Sequence, residues 1–185
     1  MKVTYNSPVV LTYAFLSVIV MILGYMTGFR SMSYFMVGSH MDFLNPLDYF
    51  RLFSHVLGHS NWSHLLGNFT FILLLGPLLE EKYGSKQLLV MILFTALITG
   101  ILNILLFDHG LLGASGIVFM MILLSSIVNA QEHTIPLTFI LVAVLFLGKE
   151  VFDIFKNDQV SQFAHIIGGV CGAVFGFFAL KKRVF

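Results

Sequence analysis

The chain has 185 residues, of which 58% are hydrophobic and only 10% are charged. Soluble domains carry charge on about a quarter of their residues, and a core of this length cannot bury so much apolar surface in water. The composition therefore predicts an integral membrane protein. A net charge of +1, with no basic block except residues 181–183, argues against a nucleic-acid partner. The single cysteine, Cys171, excludes an internal disulfide.

Six apolar segments are candidate membrane spans, because roughly 20 apolar residues cross a bilayer core. They lie at about residues 8–29, 62–79, 86–107, 115–131, 134–152 and 161–180. The first segment is longer than the core of a signal peptide and lacks a convincing cleavage site, so we expect it to be retained. The later connections are short, with a tight aqueous turn at residues 80–85, so successive spans are expected to be antiparallel neighbours. We predict one domain over residues 1–185.

Residues 31–61 differ from the spans because Pro46, three histidines and several charges interrupt the apolar residues. We expect a long structured loop at or in the membrane interface, with its aromatic side chains toward lipid. Arg51, His55 and His59 are spaced by four residues in this loop. A zinc site is the weaker interpretation, because Val56 stands where the HExxH motif carries its glutamate. A hydrogen-bond network anchored by Arg51 is the preferred one.

The positions of Lys and Arg predict that both termini lie in the cytoplasm. The inner side then receives Lys2, Lys82, Lys86, Lys181, Lys182 and Arg183, and the outer side receives Arg30, Arg51, Lys149 and Lys156. Spans two, four and six would all begin at the outer face. Polar residues occur near each of these three starts, so they are expected at similar depth on one side of the membrane.

Ser115 opens the fourth span within the stretch LGASG, residues 112–116. A nucleophilic hydroxyl needs exposure, a base and N–H donors for an oxyanion. Gly113 and Gly116 permit close backbone approach, and the first N–H groups of a helix have no helical partner. The same small residues also serve as helix caps and close-packing sites, which is the structural alternative. Partners for Ser115 must decide between the two.

His165 is the candidate base, since an ionisable residue inside a span is costly unless it is paired or functional. A histidine bonded to a neighbouring backbone group is the alternative. Small residues recur every four positions from Ala164 through Gly168 and Gly172 to Gly176, a stripe that favours close helix packing. Packing against the fourth span would bring His165 to Ser115. Without an acidic residue nearby in these spans, we expect a Ser–His dyad.

His64 and Asn68 lie one helical turn apart on one face of the second span. Both can donate hydrogen bonds in neutral form, as an oxyanion site of low dielectric requires. Hydrogen bonds that only join helices are the alternative for this pair.

The combined pattern resembles the rhomboid family of intramembrane serine proteases. The matching motifs are Arg51-(x3)-His55-(x3)-His59, His64-x-x-Gly67-Asn68, Gly113-Ala114-Ser115-Gly116 and Ala164-His165-Ile166-Ile167-Gly168. The resemblance implies a six-helix bundle in which Ser115 is the nucleophile and His165 the base. It further implies an oxyanion hole made by His64, Asn68 and the Ser115 N–H.

The resemblance also assigns supporting roles. Arg51, His55 and His59 are implied to stabilise the first loop. Glu80 and Gly84 are implied to shape the second turn, and the fifth helix or its following loop is implied to gate substrate entry. The chain departs from the family at Phe119, where many members have a tyrosine, so stacking on His165 can persist without a phenol hydroxyl. It departs again at Phe50, where a tryptophan is common.

These observations predict a minimal six-span enzyme that cleaves single-span membrane proteins near the outer face, without metal or cofactor. We expect it in a bacterial cytoplasmic membrane, with transmembrane substrates and the lipid bilayer as partners. Residues 148–158 are polar enough to form a mobile lid. One alternative is an inactive relative that binds membrane clients. Another is a small channel or transporter lined by His64, Asn68 and His165, which the absence of paired intramembrane carboxylates disfavours.

Overall fold

The computed structural model describes residues 2–128, 130, 134–148 and 162–181. Over these residues the chain forms seven helices and a short 3-10 helix at Arg30–Tyr34. The seven are α1 (Pro8–Met26), α2 (Pro46–Ser54), α3 (Trp62–Tyr83), α4 (Ser85–Leu106), α5 (Ser115–Ile127), α6 (Leu137–Leu147) and α7 (Gln162–Lys181). An isolated antiparallel bridge joins Val37 to Leu111. The predicted all-helical fold is confirmed for the described part of the chain.

Four helices, α1, α3, α4 and α7, are long and apolar enough to cross a membrane. The helix α5 has 13 residues and is therefore about 20 Å long, against a hydrocarbon core of about 30 Å. The described part of α6 is also apolar and has fewer residues than these four helices. Multiple candidate spans support an integral membrane protein, and the count of six crossings stays a prediction.

Two helices end at residues other than those that the sequence predicted. The helix α1 stops at Met26 rather than near residue 29, because Gly28 and Phe29 adopt left-handed backbone angles with φ of 57° and 64°. The helix α3 continues to Tyr83, so the predicted turn at residues 80–85 is reduced to Gly84, with φ of 84°. Charged residues there mark the membrane surface, but they are also good helix formers and do not end the helix.

The helix α5 is shorter than the predicted span at 115–131, and α6 begins three residues later than the predicted span at 134–152, whose last residues lie outside the described part of the chain. In the last turn of α5, the hydroxyls of Ser125 and Ser126 donate to the carbonyls three residues back, at 2.8 and 2.6 Å, and the helix ends at Ile127. Pro136 precedes α6, which therefore begins at Leu137. The predicted lid at 148–158 lies outside the described residues except for Gly148.

The helix α5 is the centre of the bundle, since residues 116–124 are all buried. Its most extensive partner is α7. A Cβ atom added at Gly168 or Gly172 would collide with the backbone of Gly116 or Met120 on α5. The stripe of small residues on α7 therefore lets the two backbones touch, as the sequence predicted.

At the opposite end of α3, Glu80 joins three helices. Its buried carboxylate accepts hydrogen bonds from the backbone N–H groups of Val9 and Val10, each at 3.0 Å, and from the Ser85 hydroxyl at 2.7 Å. Negative charge at the start of α1 is favourable because the first N–H groups of a helix have no helical partner. Glu80 thus fixes the starts of α1 and α4 to the end of α3.

Candidate functional site

A cavity of about 580 Å³ lies where α3, α5 and α7 begin. Its polar lining includes His64 near the start of α3, Ser115 at the start of α5 and His165 near the start of α7. The structure therefore brings together three clusters that are far apart in sequence, as the alternation of span directions predicted. The remaining lining residues are Ser60, Asn61, Ser63, His109, Gly110, Leu111 and Leu112.

Ser115 is held at the cavity by the turn that precedes it. Gly113 has φ of 125°, and its N–H donates to the His55 carbonyl at 2.9 Å. A Cβ atom at Gly113 would lie 2.9 Å from Nε2 of His64, so only glycine leaves room for that ring. Ser115 itself is half-buried and is the first residue of α5. Ser115 thus lines the cavity from the start of the helix.

His165 is buried in α7, and its ring plane is set by an aromatic neighbour. The rings of His165 and Phe119 stack with centroids 4.4 Å apart and planes within 6°. Phe119 lies one helical turn after Ser115, so the stack places the imidazole over the face of α5 that begins with Ser115. The edge of the Phe146 ring on α6 packs against Phe119 at 6.1 Å between centroids. Side chains of α6 and α7 therefore both contact the Phe119 ring.

His64 borders the cavity on the other side of Gly113. Its backbone N–H donates to the Asn61 side chain at 2.8 Å, which caps the start of α3. Its Nδ1 atom lies 3.2 Å from the Ser60 hydroxyl. These two contacts hold the ring so that its other nitrogen faces the backbone next to Ser115.

Asn68 is buried one turn further along α3 and is bonded to His59. The Asn68 side-chain N–H donates to Nε2 of His59 at 3.1 Å, while Nδ1 of His59 donates to the Leu57 carbonyl at 3.2 Å. Burial, together with the neighbouring His64, lowers the pKa of His59 to about 4. His59 is therefore neutral near pH 7, and Asn68 retains a second amide hydrogen. The residues described along the cavity wall include His64 but not Asn68.

Arg51 ties the first loop together. Its Nε atom donates to the Ser33 carbonyl at 2.7 Å, and its guanidinium pairs with Asp48 at 2.6 Å. The Asp42 N–H bonded to Asp48, and then Arg51, hold the pKa of that carboxyl below its usual value. Phe50, beside Arg51, is half-exposed and contacts the ring of Phe35.

His55 connects this loop to two other parts of the bundle. Its Nε2 atom donates to the Ala96 carbonyl on α4 at 3.0 Å, and its own carbonyl accepts the Gly113 N–H. Burial lowers the pKa of His55 to about 4. The bonds described for Arg51, His55 and His59 go to three different places, so the loop has three anchors where the sequence predicted one network centred on Arg51.

The sequence interpretation missed several lining residues, among them one further histidine, His109. It lies six residues before Ser115 in a link that was treated only as a short connection. The bridge between Val37 and Leu111, with hydrogen bonds of 3.0 and 2.9 Å, folds this link against the first loop and brings His109 to the cavity. The sequence feature that could have indicated this role is the position of His109 just before the stretch LGASG at residues 112–116.

Fold and site together define an all-helical membrane protein in which a helix-terminal serine and a buried histidine face one polar cavity. The family model described as the Rhomboid domain matches residues 46–182, about three quarters of the chain. The chain therefore belongs to the rhomboid family of membrane proteins.

Individual rhomboid proteins from three organisms are also similar to this chain in sequence. Rhomboid protease GlpG of Haemophilus influenzae is 24% identical over 136 residues, which cover 72% of this chain and 71% of that protein. Rhomboid-related protein 1 of Caenorhabditis elegans is 32% identical over 146 residues, 72% of this chain. Rhomboid-like protein 11, chloroplastic, of Arabidopsis thaliana is 29% identical over 125 residues, 66% of this chain. The chain spans only 41% of each of these last two proteins.

Proposed function

We propose that the protein is an intramembrane serine endopeptidase with Ser115 as nucleophile and His165 as general base. The observation that carries the proposal is that Ser115 and His165 line one cavity while Phe119 holds the imidazole plane. Membership of the rhomboid family supports it, as does the name protease borne by the Haemophilus relative.

The proposed reaction follows the acyl-transfer chemistry of a serine and a histidine. His165 takes the proton of Ser115 as the hydroxyl oxygen attacks the substrate carbonyl, and the carbonyl electron pair moves onto its oxygen. When this pair returns, the peptide C–N bond breaks and the amine leaves with the proton from His165. Water then attacks the acyl-enzyme by the same route and releases Ser115. These side chains supply nucleophile and base, so the proposed chemistry requires no metal or cofactor.

The oxyanion is proposed to form between the start of α5 and the side of α3. The Ser115 N–H belongs to the first turn of α5, whose N–H groups lack helical acceptors and lie at the positive end of the helix dipole. His64 supplies a ring nitrogen beside Gly113, and Asn68 has one amide hydrogen beyond the one given to His59. Donors fixed in a low-dielectric site stabilise the developing charge without reorganisation.

The substrate class follows from the location of the cavity. A transmembrane helix hides its carbonyls in helical hydrogen bonds, so the chain must unwind near the cavity before Ser115 can attack. We propose that substrates are single-span membrane proteins with helix-weakening residues near the cleaved bond, entering past α6. The change from α to π hydrogen bonding at Ala143–Leu147 supports α6 as the movable element. In this proposal both termini lie in the cytoplasm and cleavage occurs near the outer face.

Cleavage of a single-span substrate by the purified protein in detergent tests the proposal. Ser115→Ala and His165→Ala are each expected to abolish cleavage, while Ser126→Ala, whose hydroxyl bonds to the Leu123 carbonyl at the far end of α5, is expected to retain it. Full cleavage by Ser115→Ala would refute the assignment. Client binding without cleavage by the unaltered protein would instead identify an inactive relative.

A further inference from the structure

A second concave surface is an apolar groove on the face of the bundle formed by α1, α2 and α4. Its volume is about 370 Å³. The floor is buried, with Val56 5% exposed and Ile92 4% exposed, while the rims Leu16 and Leu93 are 45% and 41% exposed. The groove is therefore a concave surface that opens toward lipid in a membrane protein.

The two ends of the groove differ. One end lies at Pro8 and Leu89, close to the starts of α1 and α4, and the other is closed by Phe53 and Val56 of the first loop. Tyr13 fixes this closure, because its buried hydroxyl donates to the Val56 carbonyl at 2.9 Å. Besides its opening toward lipid, the groove thus reaches the end of the bundle where Glu80 joins α1, α3 and α4, while the first loop closes its other end.

The depth of the groove fits one leaflet of a bilayer. Leu16 and Leu93 each lie eight residues after the start of their helices, which is about 12 Å along the axis. Half of a hydrocarbon core is about 15 Å. An acyl chain that enters from the open end would therefore reach the closed end near the bilayer midplane. Beyond that point Phe53 and Val56 of the first loop occupy the surface of the bundle.

The charge at the open end selects the headgroup. Lys86 is exposed in the first turn of α4, one turn before Leu89 and two turns before Leu93. Exposed Glu81, the nearby carboxylate, lines a neighbouring cavity with Leu78, and this cavity adjoins the groove at Pro8 on the α1 side. The Glu80 carboxylate is already used by three donors. A phosphate on the α4 side of the open end, above Leu89, would therefore meet the ammonium group of Lys86, whereas the carboxylates lie on the Pro8 side.

We propose that this groove is a lipid site that holds one acyl chain of an anionic phospholipid, with the phosphate beside Lys86. If lipid covered only the exposed rims, the side chains on the floor of the groove would have no lipid atoms in contact with them. An acyl chain inserted into the groove packs against the floor and gains dispersion contacts. The groove and the cavity of Ser115 share no described lining residue, and the inference does not depend on proteolysis.

Native mass spectrometry of the protein released from detergent tests the proposal, with dioleoyl phosphatidylglycerol and dioleoyl phosphatidylcholine as probes. We expect one phosphatidylglycerol to be retained per chain. Leu93→Trp fills the groove and is expected to reduce retention at least tenfold, whereas Val90→Trp, also exposed on α4 but outside the groove, is the matched control. Leu16→Trp blocks the groove from α1 and serves if Leu93→Trp does not fold.

The headgroup is tested separately with Lys86→Ala, which is expected to weaken phosphatidylglycerol binding about fivefold without changing phosphatidylcholine binding. Arg30→Ala, exposed at the other end of α1, is the control. Equal retention by the groove-filling and control variants would overturn the acyl site, and equal binding of both lipids by the unaltered protein would overturn the phosphate contact. Release as a dimer that Leu93→Trp dissociates would show that a second copy occupies the groove instead.

Discussion

At the scale of single residues, Phe119 has the most direct influence on the proposed chemistry. Its ring lies parallel to the His165 imidazole, and it has no hydroxyl through which it could bond to the histidine or to substrate. Its contribution is therefore the orientation of the ring, which determines whether the imidazole lone pair points at the Ser115 hydroxyl. A displacement of a catalytic group by about 1 Å reduces the catalytic rate by about a hundredfold.

Replacing Phe119 with alanine is accordingly expected to lower kcat by about a hundredfold with little change in KM, because substrate does not need the ring to bind. Phe119→Tyr keeps the aromatic face and is expected to remain active. Steady-state cleavage kinetics of both variants provide the measurement. An alanine variant as active as the tyrosine variant would show that the stack is not needed to position His165.

His59 predicts a pH dependence of stability. Its pKa is about 4 in the fold and near 6.5 when exposed, so the unfolded chain binds more protons between these values. Its stabilising contribution is fully present above about pH 6.5 and is lost as the pH falls toward 4. From pH 7 to pH 5 the free energy of unfolding should fall by about 2 kcal/mol from this group.

The measurement is the unfolding midpoint in detergent at pH 7, 6 and 5. His59→Gln is expected to show a smaller decrease than the unaltered protein, because glutamine does not titrate. The exposed His40 provides the control, and His40→Gln should keep the original slope. Parallel pH profiles for all three proteins would contradict the assignment of the dependence to His59.

The main site residues could be inferred from sequence because each is attached to a helix start. Alternate spans begin on the same face, so Ser115, His64 and His165 had to lie at similar depth once the spans were correctly ordered. His109 could not be inferred in this way. It reaches the cavity through the pairing of Val37 with Leu111, and two single residues that pair across loops leave no periodic pattern in the sequence.

At the scale of helices, apolar runs identified the elements but not their ends. The thickness of the bilayer sets the length of an apolar segment, whereas backbone hydrogen bonding sets the length of the helix. A helix therefore extends beyond its apolar segment where charged residues with high helix propensity follow it. This occurs at the end of α3, which continues through Glu80 to Tyr83. The sequence predicted a turn at this position. The structure instead has a helical Glu80 whose carboxylate caps the start of α1.

Removing the Glu80 carboxylate is expected to destabilise the bundle. Glu80→Ala leaves the Val9 and Val10 N–H groups and the Ser85 hydroxyl without their acceptor in a buried site, at a cost of about 2–4 kcal/mol. The adjacent, exposed Glu81 gives a matched control, since Glu81→Ala removes the same charge without these bonds. Thermal unfolding in detergent compares them, and equal midpoints would contradict the capping role.

At the scale of the whole molecule, the short, buried helix α5 determines where the proposed hydrolytic site lies in the bundle. Its 13 residues span less than a bilayer core, and in the proposed function Ser115 lies below the surface that the longer helices reach. Close packing of α7 on α5 brings His165 to the same level. The polar cavity at the starts of α3, α5 and α7 then gives water a route to both groups.

The central claim is that Ser115 is made nucleophilic by His165, and covalent labelling tests it most directly. The purified protein is treated with a fluorophosphonate, which reacts with an activated serine, and the modified peptide is located by mass spectrometry. We predict one adduct on Ser115 that is absent from His165→Ala, while the unmodified Ser125 and Ser126 on the same helix serve as internal controls. Failure of the unaltered protein to form the adduct, or equal labelling of His165→Ala, would contradict the account.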